Sequence, residues 1–525
     1  MVYQQLFFVC ACHKAKFELK YYHGVKSLLW GAYVLFNSIG FVAFFTVVVI
    51  LYYVMPHKAR WFFLLAASLL FYMCWRAEFV LLLLFSIVIN YGAAIAIERS
   101  KMASTRRNIL ILAMVISFGV LFVFKYLVFV YDSAEWLISQ FGQRHINPDI
   151  NIILPMGISF YTFQAAGYTI DVYRRAENPE TRTAEKNFLK FTLFITFFPQ
   201  LVAGPIERKK NLYPQLFSKK NFSLNNLVTG GKWMLWGFFK KIVIADRAAF
   251  VVNQVFNSPR SYDSWAYFIA IFLFSFQIYC DFSGYSDIAT GSAKILGIDL
   301  MQNFNAPYFS KNIREFWRRW HISLSTWFKD YVYFPLGGSR VSKKRHAFNS
   351  IVTFLLSGIW HGANWTFFVW GFLHGLFQVA GNLKSDLLKL KRRVLPKPVL
   401  LLRNMVCITF TFALVCFGWV FFRANTINDA IYIITHLTWG IRAGFGIEPF
   451  YVLLSRLGLN VFELCLVFLS ILFLMIVEFF GKDRSKNPVI QGKNPIFQAV
   501  FYSFVTVVIL AVGVFGNSQF IYFQF

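Results

Sequence analysis

Long apolar stretches alternate with short basic clusters along most of the chain. Residues 35–55, 61–75 and 79–97 are strongly apolar, and short polar or basic segments separate them. An α-helix needs about 20 apolar residues to cross a bilayer, and counting such stretches predicts about eleven membrane segments. The runs have the length of helices rather than the ten-residue alternation of an outer-membrane barrel. The pattern therefore predicts an all-α polytopic membrane protein.

The basic clusters indicate how the segments are oriented. Two apolar stretches lie between the clusters at residues 57–60 and 99–107, so both clusters fall on the same side of the membrane. An excess of Lys and Arg marks cytoplasmic loops. Residues 109–130 are then predicted to cross outward. The following loop, residues 131–151, has no positive excess and is predicted to lie outside.

Two regions do not fit plain crossings. The apolar stretch 188–206 lies between two basic loops and contains Pro199 and Pro205, which break a helix. A re-entrant hairpin is predicted there, because irregular backbone is tolerated at membrane depth where protein covers it. Residues 301–345 are mixed amphipathic, basic and aromatic sequence. They predict short interfacial helices that face a cavity.

Composition supports a membrane protein and argues against nucleic-acid binding. The chain is 58% hydrophobic and 14% charged, whereas a soluble protein has about 25% charged residues. The net charge of +28 comes mostly from clusters between apolar runs. Positive-inside loops and contact with anionic lipid headgroups explain it. The seven cysteines are scattered and predict no disulfide framework.

The candidate chemistry is concentrated in residues 315–375, where His321, His361 and His374 stand among tryptophans. Imidazole is the side chain best suited to moving a proton near neutral pH. A polar group in hydrocarbon is costly and usually has a function. His361 and His321 are therefore a candidate proton-transfer pair. The alternatives are a hydrogen-bonded core histidine at 361 and an interfacial histidine beside basic anchors at 321.

Helical spacing suggests which residues accompany His361. Residues three or four apart share a helix face, so Asn364 and Trp365 are predicted to line the face of His361, with Asn364 available to bond the ring or a substrate carbonyl. His374 follows thirteen residues later, which is about 20 Å of rise on a continuous helix. His374 is therefore predicted to be structural. Two Gly-x-x-x-Gly pairs, at 358/362 and 371/375, favour close helix packing.

A second predicted substrate-binding group precedes and follows His321. Arg318 and Arg319, together with Lys329, can hold a phosphate-bearing donor such as coenzyme A or a phosphopantetheine arm. These cations could equally well be basic residues that flank the cytoplasmic end of a membrane segment. Trp317 belongs to the same predicted substrate-binding group.

Other chemistries fit less well. The sequence contains no HExxH, Walker A or GxSxG motif, and its histidines lack metal-ligand spacing, so no metal site is predicted. Asp281 and Asp287 could form a carboxylate relay in a transporter. They could also pair with Lys294 or cap helices, and the structural interpretation is favoured.

Five motifs stand out along the chain: FPQLVAGPI at 198–206, DFSGYSD at 281–287, FWRRWHISLS at 316–325, YVYFPLGG at 331–338 and WHG at 360–362. Together they resemble the membrane-bound O-acyltransferase (MBOAT) family, and within it the bacterial alginate O-acetyltransferase-like branch. The resemblance covers the chain from about residue 35 to its last residue, which suggests one transmembrane domain over 35–525 preceded by a lead-in at 1–34.

The resemblance implies helices around a central funnel or tunnel in a bacterial inner membrane. It implies that His361 matches the family's near-invariant histidine and His321 its second active-site histidine. It further implies acyl transfer from a cytoplasmic thioester, acetyl-CoA or an acyl carrier protein, to a hydroxyl of an extracytoplasmic polysaccharide. No permanently bound cofactor is expected, and a periplasmic accessory acyltransferase is an expected partner.

Two alternatives to complete transfer by this chain stay open. The chain could export acyl groups to a separate periplasmic transferase. It could also transfer D-alanyl groups from a carrier protein.

Overall fold

The structure is a computed structural model that describes residues 36, 38–141, 152–174, 184–202, 204–388, 396–437, 450–458, 460–481, 494–515 and 520–521. Throughout these ranges the regular secondary structure is helical and contains no strand. The predicted all-α class is therefore confirmed. The predicted lead-in, residues 1–34, lies outside the described residues.

Short and medium helices dominate the part of the chain that precedes the longest helix. The helices of this part are α1 (Ile39–Val54), α2 (His57–Met73), α3 (Phe79–Arg99), α4 (Ala103–Lys125), α5 (Leu127–Ser139), α6 (Ile158–Arg174), α7 (Phe188–Thr196), α8 (Phe198–Leu201), α9 (Lys209–Phe217), α10 (Leu224–Phe238), a π-helical turn (Phe239–Ala245) and α11 (Asp246–Asn257).

The second part begins with the longest helix and contains the histidine-rich region. Its helices are α12 (Ser264–Ile295), α13 (Ile313–Arg319), α14 (Ile322–Phe328), a π-helical turn (Lys329–Tyr333), α15 (Lys343–His361), α16 (Trp365–Leu388), α17 (Lys397–Arg423), α18 (Ile427–His436), α19 (Phe450–Arg456), α20 (Val461–Phe480) and α21 (Pro495–Val512). Two 3₁₀ turns add Pro259–Ser261 and Pro307–Phe309.

Six of the described helices are long and apolar enough to cross a membrane: α3, α4, α12, α17, α20 and α21. Helix α12 is the central one, because 83% of its most apolar window is buried, against 17% in α4 and α21. The peripheral helices direct large apolar side chains outward, as lipid contact requires. The exact predicted count of about eleven crossings is not confirmed, since other apolar helices are shorter or more polar.

The predicted irregularity in residues 188–206 is present. Helix α7 ends at Thr196 after nine residues, and the four-residue α8 starts one residue before Pro199. Nine helical residues rise only about 14 Å, which is too short to cross a bilayer. Both short helices are largely buried, so protein covers the irregular backbone that follows them.

The segment predicted to cross at 109–130 is divided between two helices. Helix α4 stops at Lys125, and α5 continues from Leu127 after a bend at Tyr126, whose φ is −115° and ψ −14°. The predicted outer loop therefore begins within a helix. The bend places two polar side chains, those of Lys125 and Tyr126, at the end of α4.

Close packing of α15 against α16 is explained by glycine. A Cβ atom on Gly358 would lie 2.3 Å from the Phe367 carbonyl oxygen, and one on Gly371 would lie 2.5 Å from that of Phe354. Any side chain at these positions would separate the two helices. The predicted role of both Gly-x-x-x-Gly pairs in helix packing is confirmed.

Buried ion pairs tie α12 to the π-helical turn. The ammonium of Lys241 lies 2.8 Å from an Asp246 oxygen and 2.5 Å from an Asp281 oxygen, and Lys240 pairs with Asp287. The predicted pairing with Lys294 is wrong, because Lys294 pairs with Asp299. The predicted helix-capping role is also wrong, since both aspartates lie well inside α12. Sequence alone could not find these partners, which lie about 40 residues upstream.

Candidate active site

His361 is the last residue of α15. The helix begins behind the N-cap Ser342, whose side chain accepts a hydrogen bond from the Arg345 amide, and ends where Gly362 turns the chain. A Cβ atom on Gly362 would lie 2.0 Å from the Phe367 ring, so the turn is closed tightly over that ring. The imidazole of His361 is only 3% exposed. It is therefore held inside the protein rather than directed at lipid.

His321 begins α14 in a left-handed conformation, with φ 42° and ψ 55°. This region is sparsely populated by residues other than glycine and costs about 1–3 kcal/mol when the surroundings impose it. Asn303 holds the residues that follow: its Oδ1 accepts from the Ser323 hydroxyl at 2.6 Å, and its carbonyl accepts from the Ile322 amide at 3.0 Å. The Ser323 hydroxyl in turn accepts from the Ile206 amide at 3.0 Å.

The two imidazoles lie side by side in an aromatic enclosure. Their ring centroids are 6.5 Å apart with an interplanar angle of 60°. Trp360 contacts both rings, with centroid distances of 5.0 Å to His361 and 6.1 Å to His321. Phe282 covers His321 at 4.5 Å, and Phe422 covers His361 at 5.3 Å. The two imidazoles are therefore neighbours, and their action as a proton-transfer pair stays a prediction.

The ring nitrogens of His321 are buried polar atoms. The residue is 0% exposed, and neither nitrogen has a hydrogen-bond partner among the described residues. Buried polar atoms are nearly always satisfied, so an exception calls for an explanation. A hydrogen bond to a substrate oxygen is one such explanation, and it stays a prediction. Neutral imidazole carries one N–H donor that could bond such an oxygen.

His374 lies closer to His361 than a continuous helix would place it. The helix breaks between His361 and Trp365, and α16 folds back along α15. Trp370 stands between the two imidazoles, 5.0 Å from one ring and 4.9 Å from the other. His374 Nδ1 accepts a hydrogen bond from Trp317 Nε1 at 3.3 Å. This bond gives His374 the structural role that was predicted and gives buried Trp317 a partner.

The same break changes the position of Asn364 and Trp365. They do not share a helix face with His361, as predicted, because α15 ends at His361 and α16 starts at Trp365. Asn364 donates to the Asn425 carbonyl at 2.9 Å, and Trp365 is half exposed with Nε1 donating to the Ser133 hydroxyl. Both residues follow the break in the chain after His361, and their contact with a substrate stays a prediction.

Arg318 and Arg319 lie at the end of α13, three and two residues before His321, respectively. Arg318 is exposed, and Arg319 bonds Glu315 at 2.7 Å on the same helix. Their predicted contact with a phosphate-bearing donor is compatible with this exposure and stays a prediction. No group of three or more potential metal ligands occurs within the described ranges.

Lys125 is a site residue that sequence reasoning missed. Its ammonium donates 2.8 Å hydrogen bonds to the carbonyls of Trp360 and His361, and the Tyr126 hydroxyl donates to that of Ile359 at 2.8 Å. The last carbonyls of a helix have no partner within the helix, and a cation there also suits the helix dipole. The sequence did contain a sign of this role, because Lys125 is an isolated lysine within an apolar stretch and belongs to no basic cluster.

Replacing Lys125 by methionine is expected to lower acyl-transfer turnover about 10- to 100-fold, because a small displacement of a catalytic group has effects of that size. Methionine keeps the bulk of the side chain but leaves the backbone carbonyls of Trp360 and His361 without the hydrogen bonds that Lys125 donates. Turnover at saturating donor and acceptor is the measurement. Tyr126→Phe is the matched control, since it removes a neutral bond one residue further from the histidine. Unchanged turnover in Lys125→Met would contradict the assigned role.

The fold is thus a polytopic helical protein that encloses a buried pair of histidines. The chain belongs to the membrane-bound O-acyltransferase family, whose family model matches residues 184–419. It is similar to the probable alginate O-acetylase AlgI of Azotobacter vinelandii, with 40% identity over 72% of this chain and 73% of the relative. This protein is therefore a membrane-bound O-acyltransferase.

Two further relatives show the range of the family. A peptidoglycan O-acetyltransferase of Helicobacter pylori is 36% identical over 71% of this chain and 72% of the relative. A teichoic acid D-alanyltransferase of Bacillus subtilis is more distant, with 30% identity over 56% of this chain and 74% of the relative.

Proposed function

We propose that this protein transfers an acetyl group from a thioester to a hydroxyl of an extracytoplasmic polysaccharide. The observation that carries the proposal is the buried pair of His361 and His321, 6.5 Å apart by ring centroid. Acetyl is favoured over D-alanyl because the O-acetylating relatives match more of the chain at higher identity. Their names specify alginate and peptidoglycan, which supports a carbohydrate acceptor here.

In the proposed reaction His361 acts as general base. It takes the proton of the acceptor hydroxyl as that oxygen attacks the thioester carbonyl carbon. A carbon–oxygen bond forms, the carbon–sulfur bond breaks, and the proton passes from the His361 imidazolium to the departing thiolate. His321 donates a hydrogen bond to the carbonyl oxygen, where negative charge develops. The aromatic enclosure excludes water that would otherwise hydrolyse the thioester.

The donor is proposed to arrive from the cytoplasmic side as acetyl-CoA or as an acyl group on a carrier protein. Helix α15 begins with exposed Lys343, Lys344 and Arg345, and an excess of such residues favours the cytoplasm. Arg318 and Arg319 are the proposed contacts of the donor's phosphate groups. The thioester would then reach His361 from the end of the protein opposite to the acceptor.

The proposed location is a bacterial inner membrane, with a periplasmic accessory acyltransferase as partner. Such a partner could receive the acyl group and complete the transfer to the polysaccharide. In that case the His361 base would deprotonate a hydroxyl of the partner rather than of the sugar. The chemistry of the histidine pair is the same for both acceptors.

The test uses purified full-length protein in lipid nanodiscs with radiolabelled acetyl-CoA and short mannuronate oligomers. Labelled oligosaccharide is the expected product, and D-alanyl carrier protein is expected to give none. Label that is transferred only when the accessory protein is added would assign delivery to this chain. Transfer of D-alanine in place of acetate would overturn the proposed acyl group.

A further inference from the structure

A groove opens on the lateral surface of the protein between helices α10 and α21. Its volume is about 700 Å³, within the range of about 300–1,000 Å³ that holds small-molecule ligands. Only 17% of the most apolar window of α21 is buried, so the groove lies on a face that contacts lipid. It is named here the α10–α21 groove. Its lining includes Gly231, Lys232 and Leu235 of α10 and Gln498, Tyr502 and Val507 of α21.

Both helices of the α10–α21 groove start beside basic sequence. Helix α10 follows the two lysines at 219–220, and α21 follows the basic sequence at 482–493. An excess of such residues marks the cytoplasmic side of a membrane. Lys232 bonds Gln498, which is only about 5 Å of helix rise from the start of α21. The ammonium therefore lies near the depth of the cytoplasmic headgroups, and the lining continues to Val507, deeper in the bilayer.

Lys232 brings a positive charge into the groove without a counter-ion. The residue is half-buried, and none of the ion pairs in the described part of the chain includes it. Its ammonium donates to Gln498 Oε1 at 2.6 Å and lies 5.1 Å from the centroid of the Tyr502 ring. Both partners are neutral, and an ammonium can donate three hydrogen bonds. A cation placed in this way at a membrane surface attracts an anionic headgroup.

The α21 side of the groove is polar, although α21 is otherwise an apolar helix. Gln498, Tyr502 and Thr506 are spaced four residues apart, so they share one helix face, and all three line the groove. Polar groups that face hydrocarbon are costly. This face therefore suits the phosphate and glycerol ester part of a lipid. Leu235 and Val507 line the same groove and offer apolar contacts to the upper part of an acyl chain.

Gly231 keeps the groove open beside Lys232. A Cβ atom on Gly231 would meet no atom within 4 Å, whereas one on Gly230 would lie 2.5 Å from the Gly291 carbonyl oxygen. Packing against α12 therefore requires glycine at 230 but not at 231. Glycine is the least favourable helix residue apart from proline, so Gly231 calls for a reason other than packing. Space for a bound molecule next to the lysine is such a reason.

We infer that the α10–α21 groove binds one phospholipid of net negative charge from the cytoplasmic leaflet. The lipid phosphate accepts a charge-assisted hydrogen bond from Lys232. The glycerol esters lie along Tyr502 and Thr506, and an acyl chain continues past Val507. A zwitterionic lipid fits the same space but carries a second positive charge that Lys232 repels. This lipid site involves none of the residues of the histidine pair and does not depend on the proposed reaction.

Native mass spectrometry of the full-length protein in detergent, with added phosphatidylglycerol or phosphatidylcholine, tests the lipid site. We expect the unaltered protein to retain one phosphatidylglycerol, with a Kd about tenfold lower than for phosphatidylcholine, as a hydrogen bond to a charged group provides. Gly231→Leu fills the groove and replaces glycine by a better helix former. It should raise the Kd for phosphatidylglycerol about tenfold or more without lowering the unfolding temperature.

Gly92→Leu is the matched control, because Gly92 of α3 is exposed and a Cβ atom there also meets no atom within 4 Å. Its Kd for phosphatidylglycerol should equal that of the unaltered protein. Lys232→Gln separates charge from shape. It keeps a polar side chain in the groove but removes the cation, so the preference for phosphatidylglycerol should disappear while binding of phosphatidylcholine is unchanged.

Equal Kd values of the unaltered protein for the two lipids would overturn the inference, as would unchanged phosphatidylglycerol binding in Gly231→Leu. Displacement of the lipid by inorganic phosphate would make the groove a site for free anions and would also overturn it. A dimer that Gly231→Leu dissociates, with no lipid retained by the unaltered protein, would assign the groove to a second copy of the chain instead.

Discussion

Replacing His361 by alanine is expected to lower acyl transfer by about 10²- to 10⁴-fold, the usual contribution of a general base. The ring is 3% exposed and lies beside His321 in an enclosure of tryptophan and phenylalanine rings. His321 is the other imidazole in that enclosure, and the proposed mechanism uses it as a hydrogen-bond donor rather than as the base. The measurement is turnover of labelled acetyl-CoA in nanodiscs, together with expression and membrane insertion of the variant.

Glutamine variants of two histidines make the comparison sharper. His361→Gln keeps a polar side chain of similar size but cannot act as a base, so it is expected to be as inactive as the alanine variant. His374→Gln makes the same change one tryptophan ring away, and its amide oxygen can still accept from Trp317 Nε1. It should retain most activity. Equal turnover in the two variants would remove His361 from the proposed mechanism.

Periodicity and motifs predicted those features that depend on local sequence. The alternation of apolar stretches and basic clusters predicted the all-α class, and Pro199 predicted the break that separates α7 from α8. His361 and His321 were singled out because an imidazole is unusual in apolar surroundings. Each of these predictions needs only a residue and its near neighbours in the chain.

Contacts between distant segments could not be predicted in this way. Asn303 holds the backbone after His321, and Lys125 bonds the end of α15 from a helix more than 200 residues upstream. Nothing in the local sequence identifies such partners. The end of α15 at His361 was also missed, since Gly362 alone does not break a helix. The fold leaves no room for a side chain at Gly362, where a Cβ atom would lie 2.0 Å from the Phe367 ring.

Replacing Lys241 by methionine is expected to lower the free energy of unfolding by about 3–5 kcal/mol, the usual effect of removing one partner of a buried ion pair. The ammonium is shared by Asp246 and Asp281, and all three side chains are at most 5% exposed. Without it, two carboxylates lie close together in surroundings of low polarity. Thermal unfolding in detergent, followed by tryptophan fluorescence, is the measurement.

Lys294→Met is the control, because the Lys294–Asp299 pair is on the surface, with side chains 26% and 67% exposed. Such a pair contributes about 0–1 kcal/mol. Equal destabilisation by the two variants would contradict the role assigned to the buried pairs.

Lys241→Met should also impair activity below its unfolding temperature, since Ser286 of the same α12 segment bonds Asn303 at 3.2 Å. Through Asn303, a shift of α12 would reach the strained backbone of His321.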